Sequence, residues 1–324
     1  MAREECLIAA YLLDGKGGGK KIHWDDIDSW TPEKGILWVH LNYTSHKTHQ
    51  WLNSKSGLDK ITANAMARED SRPRTITSNN GLLVFLRGVN LNPDENPEDM
   101  VSIRIWINEN TIITTRKRKL LSVGDIRHKI EDGAGPKTPA EFLQMLNDIM
   151  AFRMTDVIES LIDKVDALEH EIIKKESHIL RAEIAKLRRK TIVIRRYLAP
   201  QREALNRLFV EETPFMPLSE KMHIRETADR IMRYIEDLDA ARERAAITQE
   251  ELSSRLSEEL DKRIYLLSVV AIIFMPLTFL TGLLGVNVGG IPGQHDNWGF
   301  FVVCSILTIV MVVMIFLFYK KEWL

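Results

Sequence analysis

The chain of 324 residues carries 44 Lys and Arg against 45 Asp and Glu, a net charge of −1, with 27% of its residues charged. So even a balance excludes a globally basic nucleic-acid-binding protein, and the length allows a soluble region of about 260 residues beside a smaller second part. The only cysteines, Cys6 and Cys304, lie far apart without a CxxC partner, which excludes a cysteine zinc finger and fits a reducing cytoplasm.

The first residues, Met1-Ala2-Arg3-Glu4-Glu5, lead into a strand-like run, so no signal peptide is expected. Strands are predicted at 6–13, 36–43, 81–90 and 101–107, all rich in Ile, Leu, Val, Trp and Tyr. Asn108-Glu109-Asn110 turns the last of these into a strand at 111–116. Helices are expected at 45–55 and 59–67. The pattern reads as a cytoplasmic α/β layer domain over 1–136, closing at the Gly133-Ala134-Gly135-Pro136 break. The glycine-rich run 14–21 has the look of a phosphate loop, but the G-x-x-x-x-G-K-[ST] spacing fails and Lys21 stands where a hydroxyl is needed. It reads as a turn after the first strand. With no nucleophile elbow, HExxH or dinucleotide fingerprint either, enzyme activity is not expected.

From 137 to 218 the pattern becomes long cytoplasmic helices. Thr138 is placed to cap one, with Pro139 at its first position, Glu141 at its third, and Phe142, Met145, Leu146, Ile149 and Phe152 at helical spacing as far as about residue 176. A second is predicted at 179–210. Pro214 and Pro217 then precede a Ser219 cap. The stalk, 219–263, repeats Ile231, Leu238, Ala245 and Leu252 every seven residues, with Ile235 and Leu256 widening the stripe, as a self-associating helix would. No Gly or Pro falls between Ser219 and Phe274, so one helix is expected to continue into the apolar run 264–284; the alternative is an amphipathic helix followed by a separate membrane helix.

Residues 264–284 and 298–319 contain no charged residue, and each run is long enough to cross about 30 Å of hydrocarbon as a helix. Lys262 and Arg263 precede the first run and Lys320 and Lys321 follow the second, while the loop 285–297 has no Lys or Arg. The positive-inside rule puts both long ends, including the tail 320–324, in the cytoplasm and the loop outside; the four cations form a basic rim at the inner surface. The bilayer is thus an expected partner.

Two spans per chain cannot enclose a pore, so conduction requires several copies around an axis. Ile264, Leu267, Ala271, Met275, Thr278 and Gly282 share one helical face leading to Asn287, and both pore lining and plain helix packing remain open for that face. Zinc-type ligands are sparse. His46 and His49 have the i, i+3 spacing to share an ion, His170 and His178 are too far apart along a helix, and His295-Asp296 in the outer loop reads as a polar loop or as a cation-attracting one. The acidic run Asp156, Glu159, Asp163, Asp166, Glu169, Glu171 and Glu176 reads as a solvated helix face or as a cation-attracting wall.

Gly285-Val286-Asn287, closing a first membrane helix, resembles the Gly-x-Asn signature of the CorA divalent-cation transporter superfamily. The wider run 277–293 is similar to its bacterial zinc-transport branch, as are Leu41-Asn42-Tyr43, Ser71-Arg72-Pro73-Arg74, Thr115-Arg116-Lys117-Arg118-Lys119, the run 195–202 and the ending Trp323-Leu324. The resemblance covers essentially the whole chain. It implies a funnel-shaped homopentamer in the bacterial inner membrane, with both termini cytoplasmic. In it a ring of Asn287 would meet the hydrated ion, Gly285 would let the chain turn, and Thr278 and Met275 would line the pore below. It further implies Zn²⁺ as the transported ion, no permanently bound cofactor, coupling to protons, and uptake rather than efflux. A passive Mg²⁺, Co²⁺ or Ni²⁺ channel is the alternative within the family. A membrane-anchored oligomeric sensor or scaffold is the alternative outside it. Neutral Asn carbonyls would orient ion-bound water without the grip of carboxylates, and stripping a dication in an apolar bore is costly, so passage with water retained is favoured.

Overall fold

The computed structural model describes residues 6–69, 72–78, 81–172, 178–286, 291 and 297–320. It divides into two compact units, Met1–Gln249 and Glu250–Leu324.

The first unit is built on seven strands, β1 (Leu7–Leu13), β2 (Gly19–Lys21), β3 (Ile36–Asn42), β4 (Arg74–Ser78), β5 (Gly81–Gly88), β6 (Val101–Ile107) and β7 (Thr111–Arg116), in the order β2-β1-β3-β7-β6-β5-β4. Only β3 and β7 run parallel, with Asn42 opposite Arg116 at their carboxyl ends; the other neighbours are antiparallel. The apolar stretches at β1, β3, β5, β6 and β7 form strands as the sequence predicts. β2 and β4 carry no apolar alternation, and hairpin geometry brings them in. In the first hairpin Asp14 Oδ1 accepts from the backbone N–H of Lys16 (2.7 Å) and Gly18 (3.0 Å), and Gly15 and Gly17 take φ of 71° and 108°. The glycine run is therefore the turn from β1 to β2.

Helices cover both faces. α1 (Trp24–Asp28), α2 (His46–Ser54) and α3 (Lys60–Ala67) close one of them, where Leu37, Val39, Leu41, Phe85, Trp106 and Ile113 form a core with Trp51, Leu52, Ala63 and Met66. Asp59 caps α3 by accepting from Ile61 and Thr62 N–H at 2.9 Å each. On the opposite face Trp38 stacks on Tyr11 (5.6 Å) and meets Phe142 (4.9 Å). That side belongs to α4 (Leu121–Glu131), which the sequence reading left out, and α5 (Pro139–Ile172).

α5 starts as its cap predicts, with Glu141 N–H donating to Thr138 Oγ1 (3.1 Å). Of the expected stripe Phe142 and Leu146 are buried, beside Leu143, Met150 and Met154, while Met145 and Ile149 are half-buried and Phe152 is 68% exposed, because two overlapping apolar stripes were available on this helix and the sheet took the one that includes Leu143 and Met150. α6 (His178–Val210) passes through Pro200 and lies against β4 and β5, where Gln201 Oε1 accepts from Arg87 N–H (2.7 Å) and the Ala204 carbonyl accepts from Thr75 Oγ1 (2.8 Å).

α7 runs unbroken from Leu218 to Leu284. Its first turn opens on the Pro217 carbonyl, which accepts from Lys221 N–H (3.2 Å), so Ser219 lies inside the helix rather than capping it. Within the first unit the seven-residue repeat is not left for another copy either: Ile231, Leu238 and Ala245 are 1, 0 and 2% exposed in the single chain. Helices of the same chain claim this face of α7. Tyr234 Oη lies 2.7 Å from Thr155 Oγ1, Arg244 meets Asp166 (2.5 Å) and Glu169 (Nε to Oε1, 2.9 Å) on α5, and Arg195 on α6 meets Asp239 (2.6 Å). A heptad stripe specifies an apolar partner, and here α5 and α6 supply it before any second chain does.

In the second unit, α7 from Glu250 onward is followed by α8 (Gly299–Lys320). Both contain windows long and apolar enough to cross a membrane, with 6% and 0% of those windows buried. The core helix of a soluble protein would be mostly buried, and an N-terminal signal would not stand here. These two helices therefore expose apolar surface that suits lipid or further protein.

Candidate functional site

The residues singled out along the first span all lie on α7. Ile264, Leu267 and Met275 are 60, 70 and 69% exposed, and Ala271, Thr278 and Gly282 are exposed with them. Within a single chain nothing crowds this face, and a Cβ built on Gly282 meets no atom within 4 Å. The two threonines at the end of the span differ. Thr281 Oγ1 donates to the carbonyls of Leu277 and Thr278, both at 3.0 Å, whereas the Thr278 hydroxyl has no hydrogen-bond partner among the described residues. The back-bond occupies the Thr281 hydroxyl hydrogen and fixes its rotamer, whereas the Thr278 hydroxyl stays free to donate as well as accept.

α7 ends at Leu284, and Gly285 N–H donates to the Thr281 carbonyl at 2.9 Å. A Cβ on Gly285 would stand 2.9 Å from that carbonyl oxygen, so glycine serves here by close approach rather than by a positive φ. Val286 is exposed. Asn287, His295, Asp296 and Lys321 lie outside the described residues. Lys262, Arg263 and Lys320 are exposed, and Arg263 reaches Glu259 at 3.5 Å.

One feature of the span escaped the sequence reading. Pro276 sits inside α7, where it has no N–H to give the Ile272 carbonyl. Membrane helices accommodate such a carbonyl through neighbouring helices and local adjustment.

In the first unit His46 is exposed, while two of the other candidate histidines are held by backbone carbonyls. His49 Nε2 lies 2.7 Å from the Tyr43 carbonyl and His170 Nδ1 lies 2.8 Å from the Asp166 carbonyl. Among the described residues no three His, Cys, Asp or Glu side chains gather into a metal cluster. Within the acidic run, Asp166 and Glu169 are both drawn to Arg244, while Asp156, Glu159 and Asp163 are exposed.

A buried polar chain on the α4 face went unnoticed in the sequence, because its members are split between β3 and β7, more than 70 residues apart. Trp38 Nε1 donates to Thr114 Oγ1 (2.9 Å), His40 Nδ1 lies 2.8 Å from the same oxygen, and Arg116 Nε donates to His40 Nε2 (2.9 Å). A guanidinium has no acceptor, so His40 Nε2 accepts, and the ring proton sits on Nδ1 and is donated to Thr114. His40 is 1% exposed. Burial, then the positive charges of Arg116 and Arg127, hold its pKa well below the usual range, and the ring stays neutral.

A sheet-based soluble unit followed by one very long helix and an apolar C-terminal helix defines an integral membrane protein whose larger part lies outside the bilayer. The profile of the CorA-like Mg²⁺ transporter proteins matches residues 33–321, and the chain belongs to that family. It is 35% identical over 317 residues to the zinc transport protein ZntB of Yersinia pseudotuberculosis, covering 98% of this chain and 96% of that protein. The structure of the full-length CmaX protein superposes with a TM-score of 0.85 at 34% identity, over 98% of each chain. The CorA magnesium transporter of Methanocaldococcus jannaschii shares the fold, with a TM-score of 0.83 at 16% identity over 98% and 99% of the two chains.

Proposed function

We propose that this protein transports divalent metal ions across the bacterial inner membrane, with Zn²⁺ as its ion. Conduction runs through the axis of a homopentamer lined by the 264–284 segment of α7, with residues 1–263 and the tail in the cytoplasm and 285–297 outside. Asn287 receives the hydrated ion, Thr278 and Met275 line the path below it, and Ile264, Leu267, Ala271 and Gly282 complete the wall. The observation that carries this reading is the Gly-Val-Asn tripeptide set directly after the last turn of α7, in a chain of this family that is 35% identical to a zinc transport protein.

Coupling to the proton gradient, with uptake favoured over efflux, is the mode we assign. One observation favours a second reading, a passive channel for Mg²⁺, Co²⁺ or Ni²⁺. Residues 264–284 and 298–319 contain no carboxylate or histidine, and intramembrane proton relays are built from such groups. Proteoliposomes decide between the two. Zn²⁺ influx that rises with an imposed inward proton gradient supports symport, and dication flux indifferent to the gradient supports the channel. Absence of flux for every dication in correctly assembled protein overturns both and leaves an oligomeric sensor or scaffold.

A further inference from the structure

The parallel pair β3 and β7 stands at the point where the chain changes faces. After β3 it passes to α2 and α3, which cover Leu37, Val39 and Leu41; after β7 it passes to α4 and α5, on the side of Trp38 and Tyr11. In open α/β sheets the carboxyl ends of strands at such a switch are where ligands bind, because diverging connections leave a crevice there. Here those ends are Asn42 and Arg116, paired in register.

Arg116 is half-buried, and its bonding is unusual for a guanidinium in that position. Its one side-chain hydrogen bond among the described residues runs from Nε to the neutral His40, whose other nitrogen is fixed by Thr114. No carboxylate among those residues pairs with it. The neighbouring cations of the same segment are paired, Lys117 with Glu69 (2.5 Å) and Arg118 with Glu95 (3.0 Å). The charge of a second guanidinium, Arg127 of α4, reaches both Arg116 and His40, and its Nε donates to Tyr11 Oη at 3.4 Å on the same sheet face, where Tyr11 stacks on Trp38. The nearby acid, Glu131, accepts the Tyr11 hydroxyl hydrogen at 2.6 Å and feels His128 and Lys21 as well as Arg127. Burial, then the charge of Arg127, depresses the Arg116 pKa, and no acid appears among the causes that act on Arg116.

Two guanidiniums offer planar pairs of N–H donors, and the ligand chemistry that matches such forks is the oxyanion, phosphate above all. Held through Nε by His40, Arg116 keeps its terminal nitrogens available. We propose that Arg116, at the carboxyl end of the β3–β7 pair, and Arg127 of α4 form a binding site for a phosphate group, presented either as free phosphate or as part of a nucleotide. The site lies within the first unit, and the proposal does not depend on which metal is carried.

The test uses the full-length protein in detergent micelles near neutral pH. Potassium phosphate and ATP are titrated separately, against potassium chloride at matched ionic strength, with calorimetric heat and thermal unfolding as readouts. Saturable binding is expected in the unmodified protein, weakened about tenfold or more in Arg116→Gln and in Arg127→Gln. Arg118→Gln, which alters a cation already paired, is expected to leave binding unchanged. Tighter binding of ATP than of phosphate assigns a nucleotide, and equal or exclusive binding of phosphate assigns the free ion. Arg116→Gln also removes the donor to His40, so if that variant does not fold, Arg127→Gln decides. No saturable response beyond chloride in the unmodified protein, or unchanged affinity in Arg127→Gln, overturns the proposal.

Discussion

Acidification should destabilise the soluble unit through His40, by an amount that can be worked out. In the fold the ring is buried and held neutral, with its pKa pushed well below the usual range, whereas in the unfolded chain it titrates near about 6.5. The unfolded state therefore binds a proton that the folded state refuses once the pH drops below about 6.5. Stability is fully present above that value and is lost as the pH falls towards the folded pKa. Between about pH 7.5 and about pH 5.5 the single histidine contributes a loss of about 1.4 kcal/mol, which for a unit of this size lowers Tm by roughly 3–5 °C. His40→Gln removes the titration while keeping an oxygen for the Arg116 Nε–H and an N–H for Thr114. The assay is thermal unfolding of the full-length protein at both pH values, each compared with His40→Gln, so that the other histidines cancel. A smaller pH-dependent drop in the variant is the expected outcome. An identical drop in both proteins would mean that His40 takes up its proton without leaving the fold, and the linkage argument would be wrong.

Three further outcomes are expected. Asn287→Ala should abolish or greatly reduce dication flux in proteoliposomes while the oligomer still assembles by size-exclusion chromatography, and normal flux in the assembled variant would remove Asn287 from the path. Ala245→Pro interrupts the middle of a 67-residue helix at a buried position, so it should destabilise the soluble unit by about 3 kcal/mol or more; unchanged hydrogen exchange along α7 would show that its continuity is dispensable there. Changing Lys320 and Lys321 together to Gln should raise flux at low salt and flatten its salt dependence if the basic rim repels ions at the cytoplasmic mouth. If the salt dependence is retained in correctly inserted protein, the four cations serve only to anchor the helices, at about 1 kcal/mol each.

What the sequence made legible follows from how local each signal is. Central strands such as β6 and β7 appear within a residue of their predicted ends, because most positions along them are apolar or β-branched and the Asn108-Glu109-Asn110 turn separates them. β2 and β4 were unreadable, since Gly19-Lys20-Lys21 and Arg74–Ser78 carry no alternation and become strands through their neighbours alone. α5 shows the same limit at the level of packing. Its periodicity announces a helix but offers two stripes, and only the sheet decides that Leu146 and Met150 go in while Phe152 stays out. The seven-residue repeat of α7 was visible, but a repeat specifies that a face needs an apolar partner without saying that α5 and α6 provide it. At the membrane end, the Gly-Val-Asn signature was legible by position, whereas the difference between Thr278 and Thr281 depends on a back-bond that the sequence does not record. The Arg116–His40–Thr114 chain joins residues up to 76 positions apart and has no local signature at all.

The order of the two units along the chain has a consequence for synthesis. A ribosome adding about 5–20 residues per second releases everything up to Gln249 before any of the first apolar run leaves the exit tunnel. The β3–β7 pairing, the longest-range step in forming the sheet, needs nothing beyond residue 116, and the residues from there to Ile264 take about 7–30 s to add. Mixed α/β sheets of ordinary contact order fold well within that interval. The sheet of the first unit can therefore be complete before the first apolar run of α7 leaves the ribosome.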